Sequence, residues 1–309
     1  MKIGNIKLDN PFILAPMAGF SECVFRSIVA KAGAGLVVTE MVSAKGLVYG
    51  NENTFDLLRH GREKTAVQLF SNEPSVVADA VQHDLLADFK VIDLNMGCPV
   101  PKVISVGAGA VLMKDLKLAS EIIKSAKLHS SKPISVKCRL GWSNQEINVL
   151  DFAKMCEDSG ADMICVHGRT RQQGYSGSVD WDYLGKVKQS VAIPVVGNGD
   201  ITLASEAKEK LVKYNLDGIA IGRGALGNPF IFADLTGTNF DCSLLDVILY
   251  HYKKVASIWG ERFAVSFMRK HLIYYLKNAG VNKRERTTLV LENNYSELIQ
   301  NIMSLFKKL

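Results

Sequence analysis

The chain has 309 residues, 48% hydrophobic and 22% charged with a formal net charge of +6, enough for one large domain, or one large and one small. No run approaches the roughly 18 uninterrupted apolar residues of a membrane span, and Met1–Asn5 opens without an apolar signal segment, so a cytoplasmic protein is expected. Cys23, Cys98, Cys138, Cys156, Cys165 and Cys242 form no C-x-x-C pair, which excludes a disulfide framework and a zinc site and fits reduced thiols.

Short apolar runs follow one another at residues 12–15, 36–39, 65–69, 91–95, 134–137, 163–167, 195–198 and 218–221. Between them lie amphipathic stretches such as 75–86, 116–128, 145–159 and 203–214. The runs are near-continuously hydrophobic, as strands covered on both faces must be. Eight β-then-α units predict a (β/α)₈ TIM barrel over residues 1–240. An open doubly wound sheet is the competitor, weakened because no G-x-G-x-x-G follows the first strand. From Asp241 the pattern changes. Leu244, Ile248, Tyr252, Val255 and Trp259 mark one long helix; Phe267, His271 and Tyr275 mark a second, and Leu298, Ile302, Leu305 and Phe306 a last. Residues 241–309 therefore read as a small C-terminal all-helical domain. It carries 11 Lys+Arg against 6 Asp+Glu, whereas residues 1–240 carry 26 against 25. That bias is either a solvated helical surface or a face for a polyanion.

The run at 91–95 ends in Asn95-Met96-Gly97-Cys98-Pro99. Gly97 and Pro99 break strand and helix alike, so Cys98 sits on a sharp turn at a strand's carboxyl end, where barrels do chemistry. A lone cysteine is otherwise a small buried hydrophobe. Other strand ends carry polar groups too: Gln68, Lys137, His167, Asn198-Gly199-Asp200 and Gly222-Arg223-Gly224. The first ends in Pro16-Met17-Ala18-Gly19, small enough for a flat ring to approach. Each alone is better explained as a turn former, a snorkelling lysine or a satisfied histidine. Their recurrence on successive strand ends is not. A glycine-flanked arginine after the last strand suits a phosphate, and with an amide, a lysine and a histidine around a flat space the set suggests FMN.

These residues resemble those of bacterial tRNA-dihydrouridine synthases, closest to the B-type branch. The resemblance rests on Pro16-Met17-Ala18-Gly19, Phe25-Arg26, Thr39-Glu40-Met41, Gln68-Leu69-Phe70, Asn95-Met96-Gly97-Cys98-Pro99, Lys137, His167-Gly168-Arg169-Thr170, Gly197-Asn198-Gly199-Asp200 and Gly222-Arg223, in order along almost the whole chain. The resemblance implies an FMN-binding TIM barrel with a helical tRNA-binding tail. It places FMN on Pro16, Met17, Ala18, Gln68, Lys137, His167, Asn198, Gly199, Asp200, Gly222 and Arg223, and makes Cys98 the proton donor. Reduction of the uracil C5=C6 bond would draw its hydride from FMN, recharged by NADPH or by NADH. Expected substrate contacts are Asn95, Arg139, Arg269, Lys270, Lys283, Arg284 and Arg286. The family's basic residues after the cysteine turn are missing from Val103-Ile104-Ser105-Val106. No metal, no membrane and a monomer are expected. The alternatives are a free-pyrimidine oxidoreductase in the manner of dihydroorotate dehydrogenase, and a non-catalytic tRNA-binding protein.

Overall fold

A computed structural model describes residues 1–59, 61 and 63–308. A short hairpin of β1 (Lys2–Ile3) and β2 (Ile6–Lys7) precedes β3 (Phe12–Leu14), β4 (Leu36–Ser43), β5 (Thr65–Phe70), β6 (Val91–Asn95) and β7 (Ile134–Arg139). The strands β8 (Met163–His167), β9 (Val195–Asn198) and β10 (Gly218–Ile221) complete the series. From β3 to β10 all pairings are parallel, and β10 pairs with both β9 and β3, so the sheet closes into a TIM barrel. The open sheet is excluded.

The helices are α1 (Cys23–Lys31), α2 (Ala44–Val48), α3 (Glu52–Leu57), α4 (Pro74–Val81), α5 (Pro101–Ile104), α6 (Leu116–His129) and α7 (Val149–Asp158). They continue with α8 (Trp181–Ser190), α9 (Ala204–Lys213), α10 (Ile231–Thr236), α11 (Leu244–Trp259), α12 (Glu261–Asn278), α13 (Lys283–Leu291) and α14 (Tyr295–Phe306). The expected helix over 75–86 stops at Val81, and a 3₁₀ turn covers Asp84–Leu86.

Period-two geometry divides each barrel strand between two environments. Outward residues such as Val67, Ile92, Val136 and Ile164 pack under the helices. Inward ones such as Ile13, Leu36, Ala66, Val91, Met163 and Val196 fill the lower barrel, with Ile3 and Leu8 of the hairpin segment packed against them. One step higher the inward positions turn polar: Gln68, Asp93 and Asn95, Ser135 and Lys137, His167, Asn198. A register shift between Val38 and Met41 on β4 marks a bulge. It re-aims Thr39 and Glu40, a common use of bulges beside a site. Thr39 Oγ1 accepts from Gln68 N–H at 3.0 Å, and the Glu40 carboxylate accepts from Gly19 N–H.

The four helices α11 to α14 have a hydrophobic core of their own, joined by Val24 and Ile28 of α1. A capping box starts α11: Ser243 Oγ accepts from Asp246 N–H, and Asp246 Oδ2 accepts from Ser243 N–H. Met268, Leu272 and Leu276 of α12 are fully buried there, each worth about 1.5–3 kcal/mol of apolar transfer. The helix α13 has no counterpart in the sequence reading, because only Leu289 of its nine residues is buried and no apolar stripe shows. Among the described residues no helix is long and apolar enough to cross a membrane.

Candidate active site

The carboxyl ends of the barrel strands open on one cavity of about 710 Å³. It is lined by Pro16, Met17, Ala18, Gln68, Asn95, Cys98, Lys137, Arg139, His167, Asn198, Gly199, Asp200, Gly222 and Arg223, so the barrel residues singled out in the sequence converge.

The Cys98 turn is held from three sides. Asn95 Oδ1 accepts from Cys98 N–H at 2.9 Å and Gly97 N–H at 3.3 Å. Arg139 Nε donates to the Gly97 carbonyl at 2.8 Å, while its Nη1 donates to the Thr170 and Gly174 carbonyls. The Cys98 carbonyl accepts from Ala110 N–H at 3.0 Å. Gly97 allows a close approach, since a Cβ would stand 3.0 Å from the Cys138 carbonyl carbon. Burial raises the Cys98 thiol above its usual pKa, against the pull of Val100 N–H, Arg139 and Lys137. The group is therefore a thiol at neutral pH, the form that can give up a proton.

A polar network runs beneath the cavity. Gln68 Nε2 donates to Asp93 Oδ2 at 2.6 Å, Ser135 Oγ donates to Asp93 Oδ1 at 2.5 Å, and Asn95 Nδ2 donates to Gln68 Oε1 at 2.8 Å. Asp93 is buried, and burial lifts its pKa against Ser135, Gln68 and Lys137. Lys137 Nζ donates to Asn198 Oδ1 at 3.1 Å, whose Nδ2 donates to the Ala220 carbonyl. His167 is different. Burial first, then the cations Lys137, Arg139, Arg169 and Arg223, push its pKa down to about 2. Its imidazole is neutral, and Nε2 is buried without a partner. An orphaned ring nitrogen in a ready-made cavity is the mark of a site shaped for something else.

On the far side Asp200 adopts φ 45°, a left-handed backbone that aspartate tolerates better than most side chains. Arg169 Nη1 donates to Asp200 Oδ1 at 2.9 Å, and Arg223 Nη2 donates to the same oxygen at 2.7 Å. The hydrogen bond from Arg169 holds the Asp200 carboxyl below its usual pKa, with Arg223 adding to the effect. Gly224 is required by packing, because a Cβ would collide with the Ile201 carbonyl.

The basic residues of the tail are dispersed. Lys270 Nζ lies over the rings of Phe267 and Phe20, at 3.8 and 5.4 Å from their centroids. Arg269 donates to Asn293 Oδ1, and Arg286 to the Val281 carbonyl. Lys283 and Arg284 are exposed. Several cavity residues escaped the sequence reading: Phe20, Tyr175 and Tyr274. Tyr175, under the guanidinium of Arg223 at 4.7 Å, carried no signal beyond its nearness to Arg169. Tyr274 had one, standing four residues after Lys270 on the expected helix. Gly227 lets α12 approach, since a Cβ there would stand 2.5 Å from the Tyr274 backbone.

A family model described as dihydrouridine synthase matches residues 13–307. The chain belongs to that family. It is 41% identical over 287 residues, 89% of this chain and 87% of the other, to a probable tRNA-dihydrouridine synthase of Rickettsia conorii. It is also 34% identical over 319 residues, 100% of this chain and 95% of the relative, to tRNA-dihydrouridine synthase B of Pseudomonas putida. Among solved structures, TcOYE with pHBA matches at TM-score 0.57 and 12% identity, over 77% of this chain and 91% of that one. At that identity the likeness supports the barrel fold alone.

Proposed function

We propose that the chain reduces the C5=C6 bond of uridines in tRNA to 5,6-dihydrouridine, the product for which its relatives are named. The observation that carries this reading is the turn, held by Asn95 and Arg139, that presents the Cys98 thiol in the same cavity as the unpartnered His167 Nε2 in a family member.

The cavity fits FMN. Its volume lies in the range of roughly 300–1,000 Å³ typical of cofactor sites, and Ala15, Pro16, Met17, Ala18 and Ala220 offer apolar walls. Gln68, Lys137 and His167 would meet the polar edge of the ring, Asn198, Gly199 and Asp200 its side chain, and Gly222 with Arg223 its phosphate. Bound FMN, re-reduced by NADPH or NADH, would supply the hydride that reaches C6. Cys98 would deliver the proton to C5, quenching the enolate-like charge as it develops. The uncharged His167 can hold a carbonyl without lowering the pKa of Cys98, as an imidazolium would. Asn95 and Arg139 hold the turn that aims the thiol. We propose that residues 1–240 are the catalytic barrel and 241–309 the tRNA-binding part, acting as a cytoplasmic monomer without a metal.

Family membership favours this reading over a free-pyrimidine oxidoreductase and over a non-catalytic RNA-binding protein. Purified protein, NADPH and unmodified tRNA should yield dihydrouridine on mass mapping, and the protein should purify yellow. Activity on free uracil or orotate, with none on tRNA, would overturn it.

A further inference from the structure

The helix α12 carries two faces. Ala264, Met268, Leu272 and Tyr275 are buried in the tail core. A second row, Phe263, Phe267, Lys270 and Tyr274, stands at spacings of four, three and four residues on the neighbouring face, with Phe267 partly packed against the tail core. These side chains touch in sequence. Phe263 and Phe267 stack with centroids 5.1 Å apart at 17°, Lys270 Nζ sits over Phe267, and Tyr274 meets Phe20 edge-on at 5.7 Å. At the outer end Trp259 lies 5.5 Å from Phe263. At the inner end Phe20 and Tyr274 are walls of the cavity itself.

The row spans about 16 Å along the helix axis from Phe263 to Tyr274. It stays partly open to water, with Phe263 40% exposed. A row of aromatic faces interrupted by a cation is what sequence-tolerant single-stranded nucleic-acid sites use: bases stack on the rings and the cation meets a phosphate. A protein partner would gain from Phe263 and Phe267 but would have to bury Lys270. The tail's excess of basic residues also favours a polyanion.

We propose that Phe263, Phe267 and Lys270 form a track for unpaired nucleotides flanking the target uridine, with Phe20 and Tyr274 as the gate through which the flipped base enters the cavity. This rests on the tRNA-modifying function proposed above. The tail then contributes a wall of the reaction chamber as well as affinity, and the track selects RNA whose target lies in a loop.

The test measures binding of fluorescent short oligouridylate and of a blunt RNA duplex to the full chain and to Phe263→Ala, Phe263→Trp and Phe267→Ala. Each alanine variant should bind the oligouridylate about 5- to 100-fold more weakly, while Phe263→Trp retains affinity. Duplex binding should be little changed. Oligouridylate binding unchanged in both alanine variants, or equal losses on the duplex, would overturn the track. So would loss of self-association in Phe263→Ala, which would make the row an interface between copies. Dihydrouridine formation by the wild-type chain is measured in parallel. If it proceeds while the variants bind normally, only the track falls; if the wild type neither binds nor modifies tRNA, both readings fall.

Discussion

Glu22 Oε1 lies 2.7 Å from His251 Nε2, a buried contact between residues 229 apart in the chain. It fastens the start of α1 to α11. The same oxygen accepts from Phe25 N–H at 2.6 Å, so one carboxylate caps α1 and meets the tail. His251 Nδ1 lies 3.0 Å from Tyr275 Oη, and His271 Nε2 lies 3.4 Å from Glu22 Oε2. Ligand atoms of Glu22, His251 and His271 fall within 4.8 Å of one another, a spacing a metal ion can bridge. The Glu22–His251 and His251–Tyr275 hydrogen bonds hold the cluster together without an ion.

Glu22→Ala should therefore loosen the tail. Removing one partner of a buried polar cluster strands the others, at a cost of about 3–5 kcal/mol. Thermal melting should show a lower midpoint, and limited proteolysis should release the segment after residue 240 first. Dialysis of the wild type against a chelator should leave the midpoint where it was. A fall on chelation would make the cluster a metal site.

Stability should peak between about pH 6.5 and 9, from the ordinary pKa values of the groups concerned. His167 and His271 are held below 6.5, by burial first. The unfolded chain thus binds more protons than the folded one as pH drops below 6.5, and stability falls by up to about 1.4 kcal/mol per pH unit for each histidine. For Glu22, burial alone would raise the carboxyl, but the two histidines outweigh it and hold it below 4.5, so further stability is lost below that value. Cys138, Cys156 and Cys165 are raised by burial, the last to about 11, so their contribution is lost as pH rises above 9.0. Urea titrations across this range check the shape. A profile flat from pH 5 to 7 would mean the histidines are not held neutral.

Arg139→Lys should damage the site more than a conservative exchange suggests. A lysine cannot span the Gly97, Thr170 and Gly174 carbonyls that the guanidinium bridges. With each hydrogen bond from a charged group worth about 1.5–3 kcal/mol, the Cys98 turn should loosen. Alkylation of Cys98 by iodoacetamide should quicken while dihydrouridine formation falls. Unchanged rates for both would mean that Asn95 and the Ala110 N–H hold the turn without Arg139.

The barrel was legible because outward strand positions obey a simple rule: an apolar residue where a helix must land. The runs at 91–95, 163–167, 195–198 and 218–221 coincide with strands for that reason. Where inward positions turn polar the rule fails, so β4 and β7 run on past the apolar stretch through Glu40, Met41 and Arg139. Cys98 was legible because glycine and proline mark a turn locally. The task of Asn95 was not, because its acceptors and donors are set by three-dimensional neighbours. The sequence offers Asn95 as a base-reading amide, and the structure shows its oxygen engaged with Cys98 N–H and its nitrogen with Gln68. Tyr274 was hidden for a similar reason: nothing in its period says that Gly227 lets its helix reach the cavity.

Cys98→Ala should separate the two halves of the proposed reaction. The substitution removes a thiol that is 8% exposed, with Val103 and Ala108 packed around it, so the fold should survive with a modest loss. Reduction of bound FMN by NADPH, followed anaerobically by loss of the yellow colour, needs no acid at this position and should proceed at close to the wild-type rate. Addition of tRNA should then restore the colour far more slowly, because charge developing at C5 has no proton to meet. General acid catalysis is worth about 10²–10⁴-fold, so a trace of dihydrouridine is compatible with the mechanism. Cys98→Ser should do little better, since a hydroxyl is a much weaker acid than a thiol even when burial has raised the latter. The alanine variants of Cys138, Cys156 and Cys165, buried away from the cavity lining, should keep the tRNA-dependent step wherever they fold. If Cys98→Ala forms dihydrouridine at the wild-type rate, the proton comes from elsewhere, and the clamp that Asn95 and Arg139 build around this turn serves packing alone.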